Sequence, residues 1–178
     1  MTYEDALSAQ IVPFSQKDPG SNTFYPRDWV QTEGMPTLDN FEIFAIEPIG
    51  RGIQAKVPFK RGETVAKFTG QVMNKILQHT LQVSATSHVH DPYFIGLLTH
   101  SCAPNCLLDM QQLEILALTD ISAGAILSVD YALTEDVLYQ QFPCTCGSAH
   151  CRRWVTGRRE AVNAEGYAYL ASEALRKC

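Results

Sequence analysis

The sequence predicts a mostly β domain that carries a cysteine cluster in its C-terminal part and ends in a helix. Three features of the 178 residues lead to this fold class. Short stretches rich in β-branched and aromatic residues alternate with glycine-containing turns, a pattern typical of short strands. Five of the six cysteines fall in two segments, 99–106 and 144–151. The last segment, 161–177, carries apolar residues at helical spacing.

Residues 1–40 are expected to form an N-terminal arm packed on the core. Four prolines and the turn-forming run 18–22 make loops dominant in this stretch. Its aromatic side chains are the natural anchors, and we expect Phe24, Tyr25 and Trp29 to hold the arm against the rest of the domain.

Regular structure is predicted from residue 41 onward. Glycine-containing turns at 50–52, 60–63 and 120–124 separate apolar runs of strand length. The predicted strands cover 41–46, 53–57, 64–68, 113–118 and 126–131.

The predicted C-terminal helix has one apolar face. Gly166 weakens this prediction because glycine is a poor helix former. The residues that share the apolar face are Val162, Tyr169, Leu170 and Ala174.

Composition excludes several classes of protein. With 46% hydrophobic and 19% charged residues, the chain is expected to form one globular domain, and no run approaches the roughly 18 apolar residues of a membrane span. The net charge of −5 argues against direct nucleic-acid binding, which needs clustered Lys and Arg. Glu4 and Asp5 interrupt the N-terminus where a secretion signal would be apolar, so an intracellular, soluble protein without membrane attachment is expected.

The second cysteine segment has metal-ligand spacing. Cys144, Cys146 and Cys151 form a C-x-C-x4-C loop in which three thiols can face one point, so a tetrahedral zinc site needs one more ligand. Disulfides are the alternative, but they are rare in intracellular proteins. His150 becomes a candidate ligand only if one of the cysteines is not.

The fourth ligand comes from the first cysteine segment. Cys102 is favoured because the Ser-Cys-Ala-Pro-Asn run around it is turn-forming, and a bend can present a thiol to a metal. Cys106 is the alternative, but it continues into an apolar pair, which is typical of a small buried thiol.

Four separated motifs also occur in a characteristic order. They are a strand-rich stretch at 43–73 containing Gly-Arg-Gly, the run His-Ser-Cys-x-Pro-Asn at 100–105, a turn at 120–124 before Leu-Ser-Val-Asp-Tyr, and the three-cysteine loop. In this order they resemble the SET-domain protein lysine methyltransferases that carry a post-SET zinc loop. The resemblance covers about residues 41–157.

This resemblance implies a SET fold of short curved sheets and a division of the chain. The expected parts are an arm at 1–40, a SET domain at 41–133, a post-SET zinc loop at 134–157 and a C-terminal helix at 158–178. It also implies N-methylation of a lysine side-chain amine with S-adenosylmethionine as cofactor and structural zinc, on a protein or peptide substrate.

The resemblance assigns roles to individual residues. Tyr131 is implied as the catalytic residue, with a core tyrosine at a strand end as the alternative, and His100 is expected to be a structural imidazole bonded to backbone. The implied zinc ligands are Cys102, Cys144, Cys146 and Cys151. The implied cofactor contacts are Gly50, Arg51, Gly52, Thr99, His100, Tyr131 and Trp154.

Four positions depart from the family pattern. Thr99 stands where the family has Asn, and Phe68 and Gln71 replace a Tyr and a Glu. Val129 replaces a larger aromatic residue, which predicts a wider substrate pocket. Two alternative functions therefore stay open: methylation of a small-molecule or free amino-acid amine, and a catalytically silent zinc-stabilised binding module.

Overall fold

The computed structural model describes residues 22–29, 31–46 and 50–175. Twelve strands, one short 3-10 turn and two helices lie within these residues. The strands are β1 (Phe41–Ile46), β2 (Gly50–Ala55), β3 (Thr64–Lys67), β4 (Gln71–Met73), β5 (Thr80–Ser84), β6 (Ser87–His90), β7 (Thr99–His100), β8 (Cys106–Asp109), β9 (Glu114–Ala117), β10 (Ser128–Val129), β11 (Phe142–Pro143) and β12 (Trp154–Val155). The helices are α1 (Tyr131–Thr134) and α2 (Ala164–Leu175), and the 3-10 turn covers Ile95–Leu97.

The strands pair into small sheets of two or three members. β1 and β2 form an antiparallel hairpin, and β3-β9-β8 and β4-β6-β5 are antiparallel three-stranded sheets. β7 and β10 pair in parallel, which brings two segments far apart in sequence side by side. β11 and β12 pair near the cysteine loop. Because every sheet is small, loops rather than long strands position the functional side chains.

An aromatic cluster fills the main core. The Phe94 ring meets Phe24 and Phe41 edge to face at centroid distances of 5.1 and 5.0 Å, and Phe41 stacks on Phe59 at 5.8 Å. Such pairs add to the burial of large apolar surface. Phe24 lies in the arm, so the described part of residues 1–40 is buried against the core through this ring.

A buried carboxylate orders the chain that leads to β7. Asp91 is fully buried and accepts hydrogen bonds from the Tyr25 hydroxyl at 2.8 Å and from the backbone N–H groups of Tyr93, Phe94 and Ile95. Burial raises the pKa of Asp91, and these donors oppose that shift. The network joins the arm to the 3-10 turn and thereby helps to place the residues after it.

The predicted mostly β class with a C-terminal helix is confirmed, and several element boundaries differ. β2 begins at Gly50 rather than residue 53, since the glycine turn itself pairs with β1. The strand predicted at 126–131 is shorter, because Asp130 accepts a hydrogen bond from Ala132 N and caps α1 at Tyr131.

The C-terminal helix also begins later than predicted. It starts at Ala164, since Asn163 accepts a hydrogen bond from Gly166 N at 2.8 Å and caps the first turn. Val162 therefore precedes the helix instead of sharing its face. Gly166 allows the Trp154 side chain to pack closely against α2, because a Cβ at position 166 would lie 2.4 Å from the Trp154 Nε1 atom. The predictions for residues 1–21 and for the end of the helix at 176–178 lie outside the described residues.

Candidate active site

A cavity of about 960 Å³ lies between the parallel β7–β10 pair, the loop before β5 and the segment that follows α1. Its volume is at the upper end of the range typical of ligand sites, roughly 300–1,000 Å³. Most side chains that the sequence singled out border it. The predicted site residues in its lining are Gly50, Arg51, Thr99, His100, Tyr131, Cys144 and Cys146.

Tyr131 reaches the cavity because α1 begins with it. Its hydroxyl donates a hydrogen bond to the Leu98 carbonyl oxygen at 2.6 Å. Burial, and then the negative charge of Glu135, raise the pKa of Tyr131, so the phenol keeps its proton at neutral pH. The structure thus places a neutral hydroxyl, held by backbone, in the cavity wall.

His100 lies beside Tyr131, and both of its ring nitrogens have partners. Nδ1 accepts a hydrogen bond from Tyr131 N at 3.3 Å, and Nε2 lies 3.4 Å from the Cys102 sulfur. Burial lowers the pKa of His100 to about 4, with the Asp130 carboxylate opposing this shift. The ring is therefore neutral and engaged in structural contacts, in agreement with the expected structural imidazole.

Thr99 and Gly52 pack against each other below the cavity. The Thr99 hydroxyl donates to the Leu127 carbonyl at 3.1 Å, so the side chain is bonded to backbone and only 7% of the residue is exposed. A Cβ on Gly52 would lie 2.4 Å from the Phe44 ring and 2.9 Å from the Thr99 methyl group. Gly52 is not among the residues that line the cavity, and the glycine is needed for packing. Its predicted contact with the cofactor stays a prediction.

Trp154 also lies away from the cavity. It is 4% exposed, donates from Nε1 to Gln141 Oε1 at 3.0 Å and packs against Tyr169 at a centroid distance of 5.6 Å. Trp154, the aromatic residue that follows Cys151, therefore anchors α2. The prediction that it covers the cofactor stays a prediction. Position in the sequence alone pointed to it, but a helix that follows the loop covers that side.

Two cavity residues escaped the sequence analysis. The Phe142 ring centroid lies 5.9 Å from that of Tyr131 and 6.0 Å from that of His100, so an aromatic side chain of β11 borders the cavity. Glu135 lines the same wall as Tyr131 and is 7% exposed. The spacing from Tyr131 to Glu135, one helical turn, was the available signal for this carboxylate.

The β5–β6 hairpin lies beside the cavity, and Thr80 and Leu81 of β5 line it. Its backbone Gln82 N–H donates to both Glu135 oxygens, at 3.1 and 3.0 Å. The side-chain amide of Gln82 donates a hydrogen bond to the Asp136 carboxylate at 2.9 Å and accepts one from the Asp136 backbone N–H at 2.6 Å. The hairpin is thus held to the chain directly after α1, which sets the width of the cavity on this side.

The four cysteines of the predicted zinc site converge. The sulfurs of Cys102, Cys144, Cys146 and Cys151 all lie within 4.8 Å of one another. The Cys102 and Cys144 sulfurs are 3.7 Å apart, close to the roughly 3.8 Å expected for two thiolates on a tetrahedral zinc with bonds of about 2.3 Å. None of the four forms a disulfide. The donor set fits structural zinc, and exposed His150 is not needed for it.

Cys106 is a buried core thiol, as its apolar neighbours in the sequence indicated. It is 1% exposed and lies on β8 in the main core. Burial raises the pKa of this thiol to about 12, which disfavours the thiolate that a metal requires.

The residues that depart from the family pattern have different environments. Phe68 is 1% exposed and belongs to the main core, and Gln71 is exposed on β4. Val129 lines the cavity, as the prediction of a wider pocket requires.

Fold and site together define the class. Residues 50–132 match the family model described as SET domain. The chain is 29% identical over 132 residues to human histone-lysine N-methyltransferase 2B, covering 60% of this chain and 5% of that protein. It is 30% identical over 135 residues to the histone-lysine N-methyltransferase, H3 lysine-4 specific, of Schizosaccharomyces pombe, covering 71% of this chain and 14% of that protein.

A solved structure supports the fold. The crystal structure of KRYPTONITE in complex with mCHH DNA, H3(1-15) peptide and SAH superposes with a TM-score of 0.52 at 21% identity, covering 65% of this chain and 29% of that chain. The chain spans only a small part of the length of the curated relatives it matches. Among the described residues, no helix is long and apolar enough to cross a membrane.

Proposed function

We propose that this protein transfers a methyl group from S-adenosylmethionine to the side-chain amine of a lysine in a protein or peptide. The observation that carries the proposal is one cavity in which Tyr131, Thr99 and His100 meet the Gly50-Arg51 turn. The relatives named as histone-lysine N-methyltransferases support the lysine substrate, and the SAH and H3 peptide held by KRYPTONITE support the cofactor and a peptide.

The cavity suits this cofactor chemically. Arg51 supplies a cation for the carboxylate of the cofactor, and the Phe142 and Tyr139 rings supply aromatic surface for its adenine. Gly50 has a φ of +88°, and a Cβ there would meet nothing within 4 Å, so the turn leaves the rim open. When bound, S-adenosylmethionine supplies a methyl group on a positively charged sulfur.

The residues of the chain have to orient a neutral amine. A lysine has a pKa of about 10.4, so keeping it neutral at pH 7 costs roughly 4–5 kcal/mol in water. The Tyr131 hydroxyl donates to Leu98 and leaves its oxygen as an acceptor for an amine N–H. Catalysis of this kind depends on alignment and on the exclusion of water.

The cysteine loop supports the cavity wall. Cys144 and Cys146 border the cavity, and a small apolar cluster joins them to Tyr131 and Phe142. Zinc on the four thiols would hold this loop in place without taking part in the reaction.

A methyl-transfer assay tests the proposal. Tritium-labelled S-adenosylmethionine would be incubated with recombinant histone H3, an H3(1–15) peptide, poly-L-lysine and free lysine, and labelled products would be located by mass spectrometry. Label on lysine of a protein or peptide is the expected result. Label on free lysine alone would favour a small-molecule substrate, and a protein that neither transfers label nor binds S-adenosylhomocysteine in calorimetry would be a binding module.

A further inference from the structure

We propose that Glu135 accepts the proton of the substrate ammonium inside the cavity and so produces the neutral amine that methyl transfer requires. The inference rests on the proposed function and adds a second catalytic residue to it. Glu135 lines the cavity together with Tyr131, and only 7% of its surface is exposed. A buried carboxylate in a ligand cavity is a feature that the fold alone does not require.

The position of Glu135 follows from α1. Its backbone N–H donates to the Tyr131 carbonyl at 2.9 Å, so the two residues are one helical turn apart. Glu135 is the C-cap of α1, and the negative charge of its carboxylate contributes to the raised pKa of Tyr131, so the two side chains lie near each other. An amine that reaches the Tyr131 hydroxyl therefore enters the part of the cavity wall that also carries the carboxylate.

The carboxylate has acceptor capacity left. Gln82 contributes a single N–H, shared between both oxygens of Glu135 at 3.1 and 3.0 Å. A carboxylate offers about four acceptor positions. Glu135 can therefore hold the β5–β6 hairpin and also accept a hydrogen bond from an ammonium group.

The charges around Glu135 come from three directions. Asp136 follows Glu135 in the chain. The Arg158 backbone N–H donates to the Glu135 carbonyl oxygen at 2.9 Å, and the Arg158 guanidinium forms an ion pair with the Asp136 carboxylate at 2.9 Å. Tyr131 precedes it on α1, and Arg51 and His79 also line the cavity. Arg158 and the Gln82 N–H favour the carboxylate, but burial outweighs them and raises the pKa of Glu135 to about 7.

This pKa suits proton acceptance near neutral pH. A general base works best when its pKa lies near the operating pH. A large fraction of the base is then ionised, and the ionised form is still basic enough to accept a proton. In the step, one N–H bond of the ammonium breaks and its electron pair stays on nitrogen. An O–H bond forms on Glu135, and the carboxylic acid later gives the proton to water.

The competing explanation is that Glu135 only anchors the hairpin. The Glu135→Gln variant distinguishes proton acceptance from anchoring. Its amide oxygen can still accept a hydrogen bond from Gln82 N, but the side chain can no longer take a proton. Asp136→Asn is the matched control, because it removes a neighbouring charge that also holds Gln82 but does not line the cavity.

The kinetic test compares methyl transfer to H3(1–15) peptide and poly-L-lysine between pH 6 and pH 9. In the native protein, kcat is expected to rise with pH to about 7 and then level off. In Glu135→Gln we expect kcat at pH 7.5 to fall about 100-fold, the lower range for loss of a general base, and to keep rising with pH. With a peptide whose lysine is replaced by S-aminoethylcysteine, whose ammonium group is more acidic, Glu135→Gln should lose a smaller part of its kcat. Asp136→Asn should keep a rise in kcat that levels off, at a somewhat lower pH, because the Asp136 charge contributes to the raised pKa of Glu135.

The binding test needs no turnover. n-Butylammonium, a mimic of the lysine side chain, is titrated into protein saturated with S-adenosylhomocysteine and followed by NMR. At pH 8.5 the native protein should bind n-butylammonium about tenfold more tightly than Glu135→Gln, which corresponds to one charge-assisted hydrogen bond in a partly solvated site. The difference in affinity should be smaller at pH 6. Melting temperature and zinc content should be the same in both proteins.

The outcomes separate the two proposals. Native kcat and an unchanged pH profile in Glu135→Gln would overturn the role of Glu135 while leaving methyl transfer intact. Equal binding of n-butylammonium by both proteins at pH 8.5 would overturn it as well. If the native protein methylates none of the substrates, the proposed function fails, and the binding test alone decides whether the carboxylate receives an amine.

Discussion

The Arg152 guanidinium binds the Asp130 carboxylate through two nitrogens, and this ion pair joins the residue after Cys151 to the residue before Tyr131. The Arg152 backbone N–H also donates to the Cys102 sulfur at 3.4 Å. Asp130 in turn caps α1 by accepting from Ala132 N. The cysteine cluster and the start of α1 are therefore mechanically connected through two residues.

Breaking this ion pair should slow methyl transfer without releasing zinc. In Arg152→Lys the charge remains but the planar two-point contact is lost, so we expect kcat to fall about tenfold, an effect of roughly 1–1.5 kcal/mol for a pair whose arginine is partly solvated. Zinc content, measured by metal analysis, should stay at one per chain. Arg153→Lys is the matched control, and an equal loss in that variant would contradict the connection.

Tyr131→Phe should affect only the reaction step. The variant loses the hydroxyl that donates to Leu98 but keeps the ring that packs between His100 and Phe142. We expect kcat to fall by about 100-fold or more, since alignment of the amine loses its fixed acceptor. Binding of S-adenosylhomocysteine should stay within about twofold of native, because the lost hydrogen bond runs to Leu98 and the ring stays in the cavity wall. Single-turnover kinetics and calorimetry measure the two quantities. Unchanged turnover would remove Tyr131 from the catalytic role.

Zinc removal should strongly reduce methyl transfer and leave most of the sheets folded. Protein prepared without chelator should hold one zinc, and Cys102→Ser should hold less than half of that, because three thiols leave the tetrahedral site incomplete. After chelation the 144–151 loop loses its restraint, and we expect activity to fall at least tenfold with little change in circular dichroism. Cys106→Ser, at the core thiol, should keep its zinc. Full activity in the zinc-free protein would refute this coupling.

Gly166→Ala should destabilise the protein although alanine is the better helix former. On an exposed helix the change would gain up to about 1 kcal/mol, but here the new Cβ would lie 2.4 Å from Trp154 Nε1. Overpacking of this kind costs about 1–3 kcal/mol, which lowers the melting temperature of a domain of this size by roughly 2–10 °C. The loss should be smaller in a Trp154→Phe background. A higher melting temperature in Gly166→Ala would show that the contact is not restrictive.

Local chemistry in the sequence was enough to predict the mostly β class and the zinc donor set. Strand-forming runs and glycine turns depend on neighbours a few residues apart, and so does the C-x-C-x4-C loop. Turn chemistry also favoured Cys102 over Cys106, and the structure brings the Cys102 sulfur to the other three while burying Cys106 in the core. The assignments at Tyr131 and His100 came from motif order, and their roles stay predictions.

The tertiary structure decided which residues share the cavity. Trp154 and Gly52 carry the motif positions of cofactor contacts, yet α2 covers one and the Phe44 and Thr99 side chains occupy the space beside the other. Phe142 is placed by the β11–β12 pair, and Glu135 is held by the β5–β6 hairpin, so both reach the cavity through contacts between separate segments. Such contacts form between segments far apart in the chain. The energy of these contacts depends on packing and burial, which no local pattern in the sequence encodes. The sequence by itself therefore determined the fold class and the candidate metal ligands, and only the folded chain determined which residues share the cavity.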